Sequence, residues 1–376
     1  MGAPVSEPVD LPGVNRGQSK RPDAKRVLFY GACHASIFAS VFSRWGTRDD
    51  FVYDYATNWR MVLDGTPFPY DAVSQWDTIV FSPIENKEGY ETWRVVEACK
   101  ANGVRSICYP HLHWRGYFPK ISKGRFFAGD EWHFPEIAES ASASRSYEEF
   151  VRQVSELHTD AVAIQLNAEE STRHLELQEK TNQTAFRISD YIRSEYRNQR
   201  LFMTPGHPTQ VLYAEAIRRL NEHLGHPLDP SYYYVAEEPQ RGLKTPIPPN
   251  VHRALGLKFA DADTQFSNQT LGARTIAWPE YLRLTYGYEK GTPFFKSNTA
   301  TFLKARPDPI ADLEDIEKVS VPRGAVLQAS QNGAALSGHA EMSLSWLDSV
   351  TQKKVARWQK VYLFREHWQE IAPDRA

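Results

Sequence analysis

The sequence has few cysteines and no long apolar run. Its 376 residues include 3 cysteines, so no disulfide framework can be read from it. No stretch of about 18 apolar residues is present, and we therefore expect no transmembrane helix. Residues 1–25 carry four prolines and mixed charges, unlike a signal peptide, and we interpret them as a flexible leader. With a free-looking Cys33, these features favour the cytoplasm.

Net charge is also small. The 44 basic and 46 acidic residues leave a formal charge of -2, which argues against a general nucleic-acid binder. The motifs GxGxxG, GxxxxGK(S/T) and GxSxG are absent, which disfavours dinucleotide enzymes, P-loop enzymes and serine hydrolases with a nucleophile elbow. Aromatic residues are abundant instead, with 10 Trp, 18 Tyr and 19 Phe. They fill cores, but they also line sugar and cofactor pockets.

Apolar runs alternate with helical periodicities from residue 26 onward. Val27–Tyr30 and Thr78–Phe81 predict short buried strands, and Val104–Tyr109 predicts a third strand that Pro110 ends. Helices are predicted between them, over residues 37–45 and 90–101. This alternation predicts an α/β domain with a parallel, doubly wound sheet.

A second strand, turn and helix follow further along the chain. We predict one long helix over residues 168–198, capped by Asn167, then a strand at 201–203 and a turn at 204–209. A helix over 211–224 completes this unit, and another is predicted near 278–288.

The residue pattern of the C-terminal part predicts mainly strands. Segments 325–329, 341–349 and 355–364 are strand-like, with a turn at 351–354 and a short helix over 365–371. We therefore predict three parts: the leader 1–25, an α/β domain 26–316 and a small β-rich module 317–376.

Four segments dense in reactive groups lie at the carboxyl ends of predicted strands, where open parallel sheets bind ligands. They are residues 31–34, 82–86, 110–117 and 204–209. Cys33 precedes a helix, whose dipole would stabilise a thiolate able to attack an acyl carbon. Alternatively, amides of that turn would stabilise an oxyanion, or Cys33 is a small buried hydrophobe.

Histidines are the other candidates for catalytic and ligand-binding residues. His207 precedes a helix start, which favours a neutral imidazole suited to act as a base, and His34 could orient or assist it. Either could instead be a turn residue. His111 and His113 lack a third ligand at a metal-site spacing, so we expect no metal there and favour hydrogen bonds to a sugar or phosphate.

Aromatic residues of the same segment could line a ligand. Trp114, Arg115 and Tyr117 fit a sugar or pantetheine wall, and they equally fit a plain core. Arg60, Lys87 and Arg115 are the candidates for contacts with phosphate.

Together these segments resemble the WcbI-type polysaccharide-biosynthesis proteins. That family opens with a strand and a Gly-Asn-Cys-Gln turn, which here is Gly31-Ala32-Cys33-His34. Its aromatic Gly-Tyr-x-Pro stretch is similar to residues 107–119. Its helix, strand and Asn-His-Pro turn are similar to 187–192 and 201–209. Ala32, His34 and Gly206 stand where the family has Asn, Gln and Asn.

The resemblance implies an SGNH-hydrolase-like α/β fold in a bacterial, cytoplasmic protein. It implies coenzyme A or acetyl-CoA as co-substrate, no metal, and a sugar or polysaccharide acceptor, with homo-oligomerisation left open. Cys33, His34 and His207 are the predicted catalytic residues. The predicted binding residues are Gly31, Ser82, Glu85, His111, His113, Trp114, Arg115, Tyr117, Thr204 and Thr209.

Three functions follow from this pattern. The first is CoA-dependent acyl transfer to a sugar hydroxyl, with His207 as general base. The second is an SGNH-like esterase or deacetylase that uses water at the same site. The third is a non-catalytic glycan-binding protein, since Ala32 and His34 replace two amide side chains of the family turn.

Overall fold

The computed structural model describes residues 11–18, 21–46, 50–84, 87–126, 129–229, 243–259, 276–332, 338–347, 349–358 and 360–371. Contacts divide the chain into two compact units. The first contains Met1–Gly116 and Asn167–Gln240, and the second contains Tyr117–Leu166 and Arg241–Ala376. The boundaries predicted at residues 26 and 316 stay predictions.

The helices and strands are, in chain order, β1 (Lys25–Gly31), α1 (Cys33–Trp45), β2 (Phe51–Thr57), α2 (Asn58–Leu63), β3 (Thr78–Phe81), α3 (Thr92–Ala101), β4 (Arg105–Cys108), β5 (Ser122–Phe126), β6 (Gly129–His133), α4 (Pro135–Ala143), α5 (Tyr147–Glu156), α6 (Ala161–Thr181), α7 (Ser189–Glu195), β7 (Phe202–Thr204), β8 (His207–Pro208), α8 (Gln210–His223), α9 (Pro249–Leu255), α10 (Trp278–Glu289), β9 (Phe294–Ser297), β10 (Thr301–Lys304), β11 (Lys318–Val321), β12 (Val326–Gln331), β13 (His339–Trp346), α11 (Ser349–Val355), β14 (Val361–Phe364) and β15 (Trp368–Ile371).

The first unit contains a four-stranded parallel sheet in the order β2-β1-β3-β4. Leu28, Phe29 and Tyr30 of the central strand β1 have no exposed surface, as expected for a strand covered on both faces. The predicted α/β architecture with a parallel sheet is therefore confirmed. The helices predicted around 37–45, 90–101, 211–224 and 278–288 are present as α1, α3, α8 and α10. The SGNH-like arrangement remains a prediction.

Strand β2 was missed by sequence reasoning because Asp54 interrupts its apolar pattern. This carboxylate has no exposed surface. It accepts hydrogen bonds from Arg16 at 2.8 Å, from Arg26 at 3.0 and 3.1 Å, and from the Gly17 amide and the Trp76 indole at 2.8 Å each. Two cations and two neutral donors thus replace the water that Asp54 loses on burial. Through Arg16 and Gly17, part of the predicted leader is attached to the sheet.

The predicted single helix over 168–198 is wrong, because the chain forms two helices, α6 and α7. Glu179 of α6 is buried and accepts hydrogen bonds from the amides of Ile188 and Ser189 at 2.7 and 3.0 Å. The Ser189 hydroxyl donates to the same carboxylate at 2.5 Å. The carboxylate accepts hydrogen bonds from amides at the N-terminus of α7 that have no partner within the helix. A new helix therefore starts here, and α6 and α7 are separate. Asn167, predicted as a cap, lies inside α6.

The second unit contains a seven-stranded sheet in the order β11-β10-β14-β13-β12-β9-β15, in which neighbouring strands are antiparallel. The predicted β-rich C-terminal region is thereby confirmed, and its sheet begins at Phe294. Three local predictions differ from the structure. Of the predicted strand 355–364, β14 covers only Val361–Phe364, and Val355 belongs to α11. The predicted turn 351–354 lies in α11, and the predicted helix 365–371 is a single 3-10 turn followed by β15. Pairing with β9 and burial of Trp368 override the local preference there.

Within the described residues, no helix combines the length and apolarity required to cross a membrane.

We predict that Asp54→Asn lowers the free energy of unfolding by about 3 kcal/mol, because it leaves the two partly buried guanidinium groups of Arg16 and Arg26 without their shared counter-ion. Urea denaturation of the full chain measures the loss. Asp64→Asn is the matched control, since Asp64 pairs with Arg60 at 2.8 Å on the protein surface and its removal should cost less than about 0.5 kcal/mol. Equal effects of the two substitutions would contradict the role assigned to Asp54.

Candidate active site

The carboxyl ends of three strands meet at Gly31. A Cβ at this position would lie 2.5 Å from Ser82 Oγ and 2.6 Å from Tyr109 Oη, so any other residue would displace these two side chains. Ser82 follows β3 and Tyr109 follows β4, and both are buried. Since β2 and β3 lie on opposite sides of β1, the crevice between β1 and β3 is the switch point at which open parallel sheets bind ligands.

Cys33 lies at this crevice as the first residue of α1. Ala32, the residue before the helix, provides no side-chain cap for the N-terminal amides. The helix dipole therefore acts directly at Cys33, where it favours a thiolate. Cys33 is only partly buried. In contrast, burial raises the pKa of the Cys99 thiol to about 11 and that of Cys108 to about 12.

His34 connects the start of α1 to the turn between β7 and β8. Its ring is buried, and Nε2–H donates to the carbonyl oxygen of Gly206 at 3.1 Å. The rings of His111 and Tyr213 lie 6.3 and 6.0 Å from it. Burial, reinforced by the neighbouring His111 and then by His207, lowers the pKa of His34 to about 3. The imidazole is therefore neutral at physiological pH.

The segment after β4 brings two further histidines to the same place. The rings of His111 and His113 stack at 5.7 Å. Burial, followed by the charges of His111 and Arg115, lowers the pKa of His113 to about 4. The amide of Trp114 donates to the carbonyl oxygen of Pro205 at 2.8 Å, which joins this segment to the β7–β8 turn.

His207 opens β8, three residues ahead of α8. Its Nδ1 lies 2.7 Å from the hydroxyl oxygen of Thr204, and this contact fixes the ring orientation. Thr204 is buried at the end of β7. Thr209 lies at the N-cap of α8, but its hydroxyl donates to the carbonyl oxygen of Arg200 at 2.9 Å, so Thr209 holds the turn together.

The structure thus brings together most of the predicted site residues and separates two. Trp114 has no exposed surface, and its indole N–H donates to Thr172 at 2.9 Å, so we assign Trp114 to the core. Tyr117 is equally buried, within the second unit, against Phe118 and Phe259. The interpretation of these two residues as a ligand wall is therefore replaced by a core role.

Glu85, one of the predicted binding residues, lies outside the described residues. Arg115 is exposed, and its amide donates to the Ser171 hydroxyl at 2.8 Å. Among the described residues, no three His, Cys, Asp or Glu side chains are grouped so as to hold a metal ion.

Tyr109 and Tyr213 also belong to the site, although neither is among the predicted site residues. Burial raises the pKa of the Tyr109 hydroxyl, which lies against the strand ends. Tyr213 on α8 meets both His34 and Phe38 edge to face. The only sequence signal for Tyr109 was its position at the end of a predicted strand, and Tyr213 gave none because it falls on the apolar face of its helix.

The family model of the polysaccharide biosynthesis enzyme WcbI matches residues 27–229. The chain belongs to the WcbI family. The predicted resemblance is thereby confirmed, and the matched range contains all the site residues described above for the first unit. No curated protein matches the chain.

One solved WcbI structure is similar in fold. It shares 16% sequence identity with a TM-score of 0.53, and the match covers 72% of this chain and 91% of that one. It is described as a native polysaccharide biosynthesis enzyme without a disulfide bond between CoA and one of its own cysteines. At this identity, the likeness shows a shared fold.

We predict that burial of His34 makes the protein less stable in acid. The pKa is lowered from 6.5 to about 3 on folding. Below pH 6.5 the unfolded chain therefore binds a proton that the folded chain does not, and stability falls as the pH falls towards 3. The contribution of His34 between pH 6.5 and pH 5 is about 2 kcal/mol.

Urea denaturation across this pH range measures the effect. His34→Gln removes the titrating group and should flatten the pH dependence by that amount. His226→Gln, at an exposed histidine, should keep the wild-type dependence. An unchanged slope in His34→Gln would contradict the prediction.

Proposed function

We propose that this protein transfers an acyl group, such as acetyl, from coenzyme A to a sugar hydroxyl during polysaccharide biosynthesis. The observation that carries the proposal is the convergence of Cys33, His34 and His207 at the carboxyl ends of the parallel sheet. The Cys33 helix and the His207 turn are joined by the hydrogen bond from His34 to Gly206. Membership of a family of polysaccharide biosynthesis enzymes supports a glycan as acceptor.

The N-terminus of α1 fits the needs of acyl transfer. Attack on a thioester carbon places negative charge on the carbonyl oxygen, and amides at a helix N-terminus stabilise such an oxyanion. Ala32 at the N-cap forms no side-chain hydrogen bond with these amides. We assign the oxyanion to the amides of the turn 31–34 and place the thioester sulfur near Cys33.

His207 is the proposed general base. Its Nδ1 is oriented by Thr204 at 2.7 Å, and we assign Nε2 to the acceptor hydroxyl. The imidazole takes the hydroxyl proton, the sugar oxygen bonds to the thioester carbon, and the carbon–sulfur bond breaks. The imidazolium then returns the proton to the sulfur of CoA, so that free CoA and the sugar ester leave.

His34 has a positioning role in this proposal. Its ring is buried, so it does not contact substrate directly; instead, it fixes the Gly206 carbonyl and with it the neighbouring His207. A glutamine can donate a similar hydrogen bond from its amide. The histidine of this chain and the glutamine of the related family turn are therefore interchangeable in this role.

We predict that His207→Ala lowers the kcat of acetyl transfer by about 100- to 10,000-fold, the usual contribution of a general base. Acetyl-CoA turnover with candidate sugars measures it. Thr204→Val should also lower kcat because it removes the contact with Nδ1, whereas Thr204→Ser keeps the hydroxyl and should retain activity. Intact activity in His207→Ala would remove His207 from this role. Release of acetate from an acetylated glycan without CoA would favour the esterase instead.

We also predict that Cys33 is the cysteine nearest to the CoA thiol. The disulfide of CoA should form a mixed disulfide with Cys33, because its thiolate is favoured at a helix N-terminus. Cys33→Ser should abolish this labelling. Cys99→Ser and Cys108→Ser are matched controls and should label normally, since burial raises the pKa of both thiols. Intact-protein and peptide mass spectrometry identify the site, and preferential labelling of Cys99 or Cys108 would contradict the placement.

A further inference from the structure

The second unit carries an open groove of about 860 Å³ on its antiparallel sheet. One wall is β11 with the turn that precedes it, and the other is α11 with Arg357, Trp358 and Lys360. A volume of this size lies in the range of pockets that enclose a ligand. The groove lies outside residues 27–229, the part that matches the WcbI family.

The groove is positively charged. Lys353, Lys354 and Arg357 line it from exposed positions, and among the described residues none of the three forms an ion pair with an acidic side chain. The opposite wall has two acidic side chains, and both are paired: Glu317 with Arg306 at 2.9 Å, and Asp315 with Lys318 at 3.6 Å. Neighbouring cations without counter-ions repel one another, and an anionic ligand in the groove would relieve this repulsion.

An immobilised indole lies beside these cations. Trp358 is partly exposed in the groove, and its Nε1–H donates to the carbonyl oxygen of Ile316 at 2.8 Å. This bond holds the ring against the turn before β11. Ile316 itself is 76% exposed, so the groove also offers apolar surface. An aromatic ring that is held in place and partly exposed to solvent suits a ligand that has both an apolar face and polar groups.

We propose that this groove binds an acidic glycan, a chain of sugars that carries carboxylate groups. Lys353, Lys354 and Arg357 pair with the carboxylates, and Trp358 packs against the face of a sugar ring. The choice of a glycan rests on the proposed function, in which the acceptor is a polysaccharide. The groove adds to that function the class of acceptor, an acidic polymer.

Calorimetric titration of the full chain tests the proposal. An oligogalacturonate is the acidic probe, and a maltooligosaccharide of the same length is the neutral one. We expect the acidic probe alone to bind, and to bind more weakly as ionic strength rises and the Debye length falls from about 30 Å to about 8 Å. Lys353→Gln/Lys354→Gln should weaken binding by about fivefold to tenfold.

The matched control is Lys100→Gln/Lys180→Gln, which removes the same charge from exposed positions of α3 and α6 and should retain wild-type affinity. Trp358→Phe keeps an aromatic ring but loses the bond to Ile316, and it should also weaken binding. Circular dichroism of each variant verifies that it is folded.

Three results would overturn the proposal: no binding of oligogalacturonate by the wild type, equal binding of the neutral probe, or equal weakening by the two double variants. Tighter binding of a single-stranded oligonucleotide of equal charge would assign the groove to nucleic acid instead. CoA is titrated in parallel with the wild type. Absence of CoA binding would reject the proposed acyl transfer, while the glycan titration alone decides the groove.

Discussion

The first unit depends on one steric constraint, the missing side chain at Gly31. Because no Cβ is present there, the side chains of Ser82 and Tyr109 lie against the end of β1, and any other residue at this position would displace them. Parallel pairing places the carboxyl ends of β1, β3 and β4 at one edge of the sheet, and α1 starts beside them. The position of Cys33 follows from it, since the helix begins two residues later.

Burial then determines the electrostatics of this point. His34 and His113 are both removed from water and lie near other histidines, and each of these effects lowers the pKa because each disfavours the charged imidazole. Neutral imidazoles can donate and accept hydrogen bonds without attracting an anion. Charge for an anionic substrate must therefore come from elsewhere, such as the helix dipole at Cys33 or the exposed Arg115.

The aromatic residues show how far composition can be interpreted. Trp114 and Tyr117 stand in the segment closest to the predicted site, and their residue types suit a sugar wall. The structure buries both completely, with the Trp114 indole hydrogen-bonded to Thr172. In the segment after β4, the aromatic side chains Trp114 and Tyr117 thus pack in the core, while His111 and His113 lie at the site. Trp358, which no sequence pattern singled out, is the tryptophan that a charged groove exposes.

The sequence by itself determined the elements whose stability is local: the buried strand Val27–Tyr30, the helix after Cys33, the turn around His207 and the order of motifs that identifies the family. These depend on apolar runs and periodicities that contiguous residues supply. Only the tertiary structure decided the rest. β2 accommodates the buried Asp54 because two arginines neutralise it, α7 begins as a separate helix where Glu179 accepts from its first amides, and His34 and His113 become neutral because separate segments bury them. The contacts of Asp54 and of the histidines join residues far apart in the chain, and the Glu179 contact joins two separate helices. No apolar run or period of contiguous residues signals any of them.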